Sequence, residues 1–174
     1  MSDERISLSA LNEMDREAFV EVCGGFFESS PWIAERAWER GPFTALAELH
    51  AAMTAVVQEV AAADKIALIR AHPDLVGKMA QQGRLTTAST QEQRAAGLSD
   101  LSQEEIELFE RNNAAYKERF GFPFVICARE NKKERILEAF PRRLQNDREQ
   151  EIDTAIREVS RIAWLRMTDR IREE

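Results

Sequence analysis

The stretch TALAELHAAMTAVVQEV, residues 44–60, carries apolar side chains at Leu46, Leu49, Met53, Val56, Val57 and Val60. Steps of three and four residues place them on one stripe of an α-helix, and no strand with its period of two can do so. The same spacing recurs along the chain, and alternating runs of Val, Ile and Thr are almost absent. The expected fold class is therefore all-α, a compact single domain over residues 1–174 with about eight helices, several of them short.

Stop and start signals divide the rest. A helix is expected over Asp15–Cys23, ended by Gly24-Gly25; Ser30-Pro31 offers an N-cap with proline at the first helical position, opening a helix to Arg40 before Gly41-Pro42. Ala62–Ala71 forms another until Pro73 stops it, and Asp74 caps a helix over Leu75–Gln82 closed by Gly83. Ser89-x-x-Glu92 and Ser102-x-x-Glu105 both fit the capping box, the second opening a helix that places Ile106, Phe109, Asn113, Tyr116 and Phe120 on one face before Gly121-Phe122-Pro123. Phe124–Ala128 is either extended or the first turn of a helix, and two helices follow over Lys132–Leu144 and Arg148–Arg170. Residues 1–11 carry no motif and are expected to be loosely ordered.

Composition removes several classes of function. With 174 residues, 44% hydrophobic and 32% charged, the chain has the make-up of a soluble globular domain. No apolar run approaches the roughly 20 residues of a membrane span. The net charge is -7, and the 24 basic residues are interspersed with acids, so nucleic acid has no electrostatic footprint here. The two cysteines, Cys23 and Cys127, stand in apolar contexts that suit reduced thiols, and no Cys or His spacing suits a metal. Without a secretory or peroxisomal signal, the chain reads as cytoplasmic.

Polar residues on expected core stripes point to chemistry. On the last helix Ile152, Ile156, Val159 and Ala163 form the buried stripe, and Arg166 falls between the directions of Ala155 and Val159. Its head either snorkels to water or stays buried beside a carboxylate of the protein or of a ligand. His72 leaves its helix at a corner because Pro73 disfavours helical backbone before it; it is either structural or suited to acid–base work near neutrality. His50, at the edge of the 44–60 stripe, reads as a hydrogen-bonded core residue, and Asn113 as a buried amide bonded to neighbouring backbone. Ser89-x-x-Glu92-Gln93 is either a helix cap or a helix start that holds an anion or carbonyl.

No dinucleotide loop, Walker loop, nucleophile elbow or zincin motif occurs, and nothing marks a Schiff-base lysine. An enzyme built on this chain would work from His, Glu, Arg and backbone groups, with no cofactor and no metal. The alternative is a non-catalytic all-helical interaction module in which His72 and Arg166 are structural.

Five segments together resemble one family. They are Phe19-x-x-x-Cys23-Gly24-Gly25-x-Phe27-Glu28-x-Ser30-Pro31-Trp32, Ala71-His72-Pro73-Asp74-Leu75, Ser89-x-x-Glu92-Gln93-x-x-Ala96-Gly97-Leu98, Asn113-x-x-Tyr116-x-x-x-Phe120-Gly121-Phe122-Pro123-Phe124 and Glu158-Val159-x-x-Ile162-Ala163-x-Leu165-Arg166. In this order they resemble the OHCU decarboxylase family of urate degradation over nearly the whole chain. The resemblance implies an all-helical protomer, paired as a homodimer, that converts 2-oxo-4-hydroxy-4-carboxy-5-ureidoimidazoline (OHCU) to (S)-allantoin and carbon dioxide without a cofactor. It implies His72 as the catalytic histidine, assisted by Glu92, with Pro73 beside the substrate. Ser89 and Gln93 match the substrate-binding helix start, Phe124, Val125, Ile126, Cys127 and Ala128 the strip whose backbone meets the ligand, and Arg166 the substrate arginine.

Overall fold

The structure, a computed structural model, describes residues 4–77, 80 and 82–174. Among these it contains nine α-helices and a two-stranded parallel ribbon, so the chain is all-α as expected. No helix among the described residues is long and apolar enough to cross a membrane. The chain divides into two units, residues 1–68 with 160–174 and residues 69–159, and both divisions fall within helices.

The first unit comprises β1 (Ile6–Ser7), α1 (Leu8–Asn12), α2 (Arg16–Cys23), α3 (Trp32–Trp38), α4 (Leu46–Glu59), most of α5 (Ala62–Arg70), the end of α9 (Arg148–Arg170) and β2 (Ile171–Arg172). Leu46, Leu49, Met53, Val56 and Val57 are buried, while Val60 is already extended and ends α4. Asp15 caps α2 by accepting from Ala18 N–H at 2.9 Å. At Gly24 a Cβ would stand 2.5 Å from the Val20 carbonyl oxygen, so the helix can end so tightly only on glycine.

One expectation in this unit is corrected. Ser30 does not cap α3: its hydroxyl donates to the Glu28 carbonyl at 2.9 Å, Pro31 takes the cap position without a side-chain bond, and the helix ends at Trp38. Of the motif-free residues 1–11, 1–3 lie outside the described residues; Ile6 and Ser7 pair in parallel with Ile171 and Arg172, and Leu8 and Leu11 are buried. His50 behaves as expected, its Nε2 2.8 Å from the Ser160 carbonyl and its ring edge-on to Trp164.

The second unit runs from the end of α5 through α6 (Thr87–Ala95), α7 (Gln103–Phe120), a 3-10 turn (Ala128–Glu130), α8 (Lys133–Leu144) and the first half of α9. The capping box at Ser102 and Glu105 forms as expected, and α7 ends on Gly121 at φ 81°. The helix expected over Leu75–Gln82 lies in part outside the described residues, and Leu75 and Val76 form a turn instead of its beginning. Phe124–Cys127 is extended and buried, and Ala128 opens the 3-10 turn, so both readings of that run hold in part.

Aromatic rings and one buried ion pair hold this unit together. Phe124 stacks on Phe140 with centroids 3.9 Å apart and meets Tyr116 edge-on at 5.3 Å. Arg143 of α8 pairs with Glu151 of α9, both buried, and donates through Nη1 to the Val125 carbonyl at 2.6 Å. Glu151 also accepts from Tyr116 at 2.6 Å and from Asn146 at 2.9 Å, and the guanidinium lies 4.2 Å from the centre of the Phe124 ring. Every charge here meets an opposite charge or a hydrogen bond, as ions in a low-dielectric core require.

Glu151→Ala would leave Arg143 buried without its anion, an expected cost of about 3–5 kcal/mol, whereas the double change Arg143→Met with Glu151→Leu should cost less. Chemical denaturation of the two variants checks that order. Burial also raises the Cys23 thiol to about 12 and the Cys127 thiol to about 11, the latter helped by nearby carboxylates. Both stay protonated at about pH 8, so iodoacetamide followed by mass spectrometry should find them unmodified in the folded protein and alkylated after denaturation.

Candidate active site

Each of the two units carries candidate residues. In residues 69–159 the first is His72, where α5 ends: its N–H donates to the Ile69 carbonyl at 3.1 Å, and Pro73 then turns the chain away. His72 is 7% exposed, which makes it a buried imidazole at a backbone corner. An open cleft of about 410 Å³ has His72, Pro73, Arg70, Lys117, Phe122 and Pro123 among its lining residues. Arg70 Nε donates to the Gly121 carbonyl at 3.0 Å, and Lys117 pairs with Asp74.

The Ser89-x-x-Glu92 box does not form. Thr86 is the N-cap of α6, its hydroxyl accepting from Ser89 N–H at 3.1 Å, so the helix begins three residues earlier than the sequence pattern suggests. This shift matters for chemistry. Ser89, Glu92 and Gln93 stand at i, i+3 and i+4 of a formed helix, one face, and all three are buried. A helix of nine residues thus turns a serine hydroxyl, a carboxylate and an amide inward. Gln93 is engaged with the corner itself: its Oε1 accepts from Val76 N–H at 3.1 Å, and its Nε2 lies 3.5 Å from the Asp74 carbonyl.

The strip Phe124, Val125, Ile126, Cys127 and Ala128 is reached from both sides. Arg143 holds the Val125 carbonyl, and Asn131 Nδ2 donates to the Cys127 carbonyl at 2.9 Å. The Glu92 carboxylate is near enough, with Glu130 and Glu158, to help raise the Cys127 thiol. Lys133 N–H donates to the Ala96 carbonyl at 3.2 Å and Lys132 Nζ to that of Ala95 at 2.6 Å, tying the end of α6 to the start of α8. The structure therefore brings together the His72 corner, the polar face of α6 and the strip.

Arg166 belongs to the first unit. It is buried, and its Nη2 lies 2.7 Å from a carboxylate oxygen of Glu28, itself buried, while Nη1 donates to the Gly25 carbonyl at 3.0 Å. Of the two sequence readings, the buried guanidinium beside a protein carboxylate is the one that forms. Glu28 was missed as a functional residue, although an acid after Phe26-Phe27 and before Ser30-Pro31 was the available signal. Arg143 and Glu151 were missed as well, because charges on helices read by default as solvated. No group of three or more His, Cys, Asp or Glu side chains among the described residues is placed to hold a metal ion.

Chemically, the second unit offers an inward amide, hydroxyl and carboxylate, an imidazole able to move a proton and a buried run of backbone, groups that suit a small polar molecule. The first unit offers an arginine held in a fixed plane, which suits an anion. The family model described as OHCU decarboxylase matches residues 12–168. A Haloferax volcanii protein named 2-oxo-4-hydroxy-4-carboxy-5-ureidoimidazoline decarboxylase is 38% identical over 169 residues, 97% of this chain and 98% of that one. A Mus musculus protein of the same name is 40% identical over 159 residues, covering 91% of this chain and 89% of that one. The crystal structure of (S)-allantoin synthase superposes with a TM-score of 0.76 and 28% identity over 95% of this chain, which spans 54% of that longer chain. With a family match across nearly its whole length and full-length relatives at this identity, the chain belongs to the OHCU decarboxylase family.

Proposed function

We propose that this chain decarboxylates OHCU to (S)-allantoin and carbon dioxide in urate degradation. The observation that supports the reading is the set of buried polar side chains His72, Ser89, Glu92, Gln93 and Arg166, all within the residues 12–168 that the family model matches.

The substrate's own electronics explain why so few groups suffice. When the carbon–carbon bond to the carboxylate breaks, its electron pair remains on the ring carbon, and the adjacent C=N accepts it. The protein's task is to hold the carboxylate perpendicular to the ring, so that the breaking bond overlaps the π system, and then to protonate one face. In this reading Arg166 and Gln93 hold the ureido and ring oxygens, and Ser89 and Pro73 line the same bound molecule. Glu92 orients the hydroxyl or destabilises the neighbouring carboxylate. Backbone groups of Phe124, Val125, Ile126, Cys127 and Ala128 fix the ring plane.

His72 delivers the proton that creates the stereocentre. The reading carries with it a homodimer acting in the cytoplasm without a cofactor.

The decay of freshly generated OHCU, followed by circular dichroism, tests this directly. Wild type should give optically active (S)-allantoin rapidly, and His72→Asn should lose roughly 10²–10⁴-fold in rate, the usual contribution of a positioned acid. Spontaneous, racemic decay with wild type would return the chain to the interaction-module alternative. Arg166→Lys should raise KM strongly, because an ammonium cannot reproduce a two-pronged guanidinium contact; unchanged KM would remove Arg166 from the substrate contacts.

A further inference from the structure

Among the described residues, the non-glycine residues with left-handed backbone are Ser29 at φ 49° and Val76 at φ 56°. Each stands close in sequence to a buried group of the candidate site, Ser29 directly after Glu28 and Val76 four residues after His72. For a β-branched side chain this conformation is unfavourable and persists only where the surroundings over-determine it.

At Val76 those surroundings are identifiable. Val76 N–H donates to Gln93 Oε1 at 3.1 Å, Asn113 Nδ2 donates to the Leu75 carbonyl at 2.8 Å, and Lys117 pairs with the Asp74 carboxylate. Gly77 lets the turn close, since a Cβ there would stand 2.8 Å from Cβ of Asp74. Ties from α6 and α7 thus converge on the residues that immediately follow His72-Pro73.

Asn113 is a buried member of this set that the proposed reaction does not use. Its amide is buried on the apolar stripe of α7, its Oδ1 accepts no hydrogen bond from any described residue, and its Nδ2 is committed to Leu75. A buried amide with that single tie is explained by what the tie holds. We propose that Asn113 is a positioning residue for His72: by holding the Leu75 carbonyl it keeps Val76 left-handed, and so sets the direction in which the chain leaves His72-Pro73. If Val76 relaxed to negative φ, the peptide planes after Pro73 would rotate and the imidazole would lose its aim. The inference rests on His72 being the proton donor.

The test is Asn113→Leu, alone and combined with Val76→Gly. Asn113→Leu should lower kcat roughly 10- to 100-fold, the effect of misplacing a reacting group by about 1 Å, with KM changed by less than about threefold. The optical purity of the product should fall, and the ring ¹H–¹³C signals of His72 should shift. In Val76→Gly the same substitution should cost less than about threefold in kcat, because glycine takes positive φ without restraint.

A kcat loss that persists in the glycine background, or a lowered melting temperature with kcat and His72 signals unmoved, overturns the proposal. Should Asn113→Leu fail to fold, Asn113→Ala removes the same donor to the Leu75 carbonyl without adding bulk, and unchanged kcat with unchanged His72 signals in that variant overturns the proposal equally. The His72 signals need no substrate. A wild type that fails to turn over OHCU would therefore refute the reaction, while these signals still decide the role of Asn113.

Discussion

A guanidinium and a carboxylate, Arg143 and Glu151, meet in the apolar interior of the second unit, and the arrangement of that unit follows from satisfying them. Removing two ions from water costs several kcal/mol each unless every donor and lone pair finds a partner. Tyr116, Asn146 and the Val125 carbonyl supply those partners, and they come from α7, from the α8–α9 junction and from the extended strip. One pair thereby joins three helices to the segment whose backbone is proposed to meet the ring. The Phe124 ring, stacked on Phe140 and lying against the Arg143 guanidinium, gives the same segment its apolar anchor.

A comparable economy governs the other polar groups. Glu28 orients Arg166 and offsets its charge, so the arginine is held in one plane before any ligand arrives. Gln93 and Asn113 divide the donors and acceptors of the turn after His72 between α6 and α7. Left-handed backbone at Ser29 and Val76 stores strain beside these groups, a cost of order 1–3 kcal/mol each that surrounding contacts must exceed. Strain so placed is the expected mark of a site whose geometry matters more than its local stability.

The capping pattern at Ser89 shows how local signals mislead. Ser89-x-x-Glu92 satisfies the rule for a helix start, yet Thr86 performs the capping, and the helix is displaced by three residues. A shift of three is nearly one turn, so apolar periodicity hardly distinguishes the two starts. The difference is large for chemistry, since Ser89 changes from a terminal cap to one of three polar side chains on a buried helical face. The Thr86 start goes with burial of Ser89, Glu92 and Gln93, which no four-residue pattern encodes.

Sequence by itself determined the all-α class, the breaks at glycine and proline, the true capping box at Ser102 and the core-side positions of Asn113 and Arg166 on their helices, leaving open whether the Arg166 head is buried. Each of these depends on interactions within about one helical turn or on the 3.6-residue period. Only the tertiary structure decided what those inward groups touch: Glu28 for Arg166, the Leu75 carbonyl for Asn113, Glu151 for Arg143, and a parallel ribbon joining Ile6 to Ile171. Such partners lie on different elements, and a charge on an isolated helix looks the same whether water or a buried counter-ion will meet it. The choice is made when the apolar faces close and water is removed, because an unmatched charge is then too costly to leave in place.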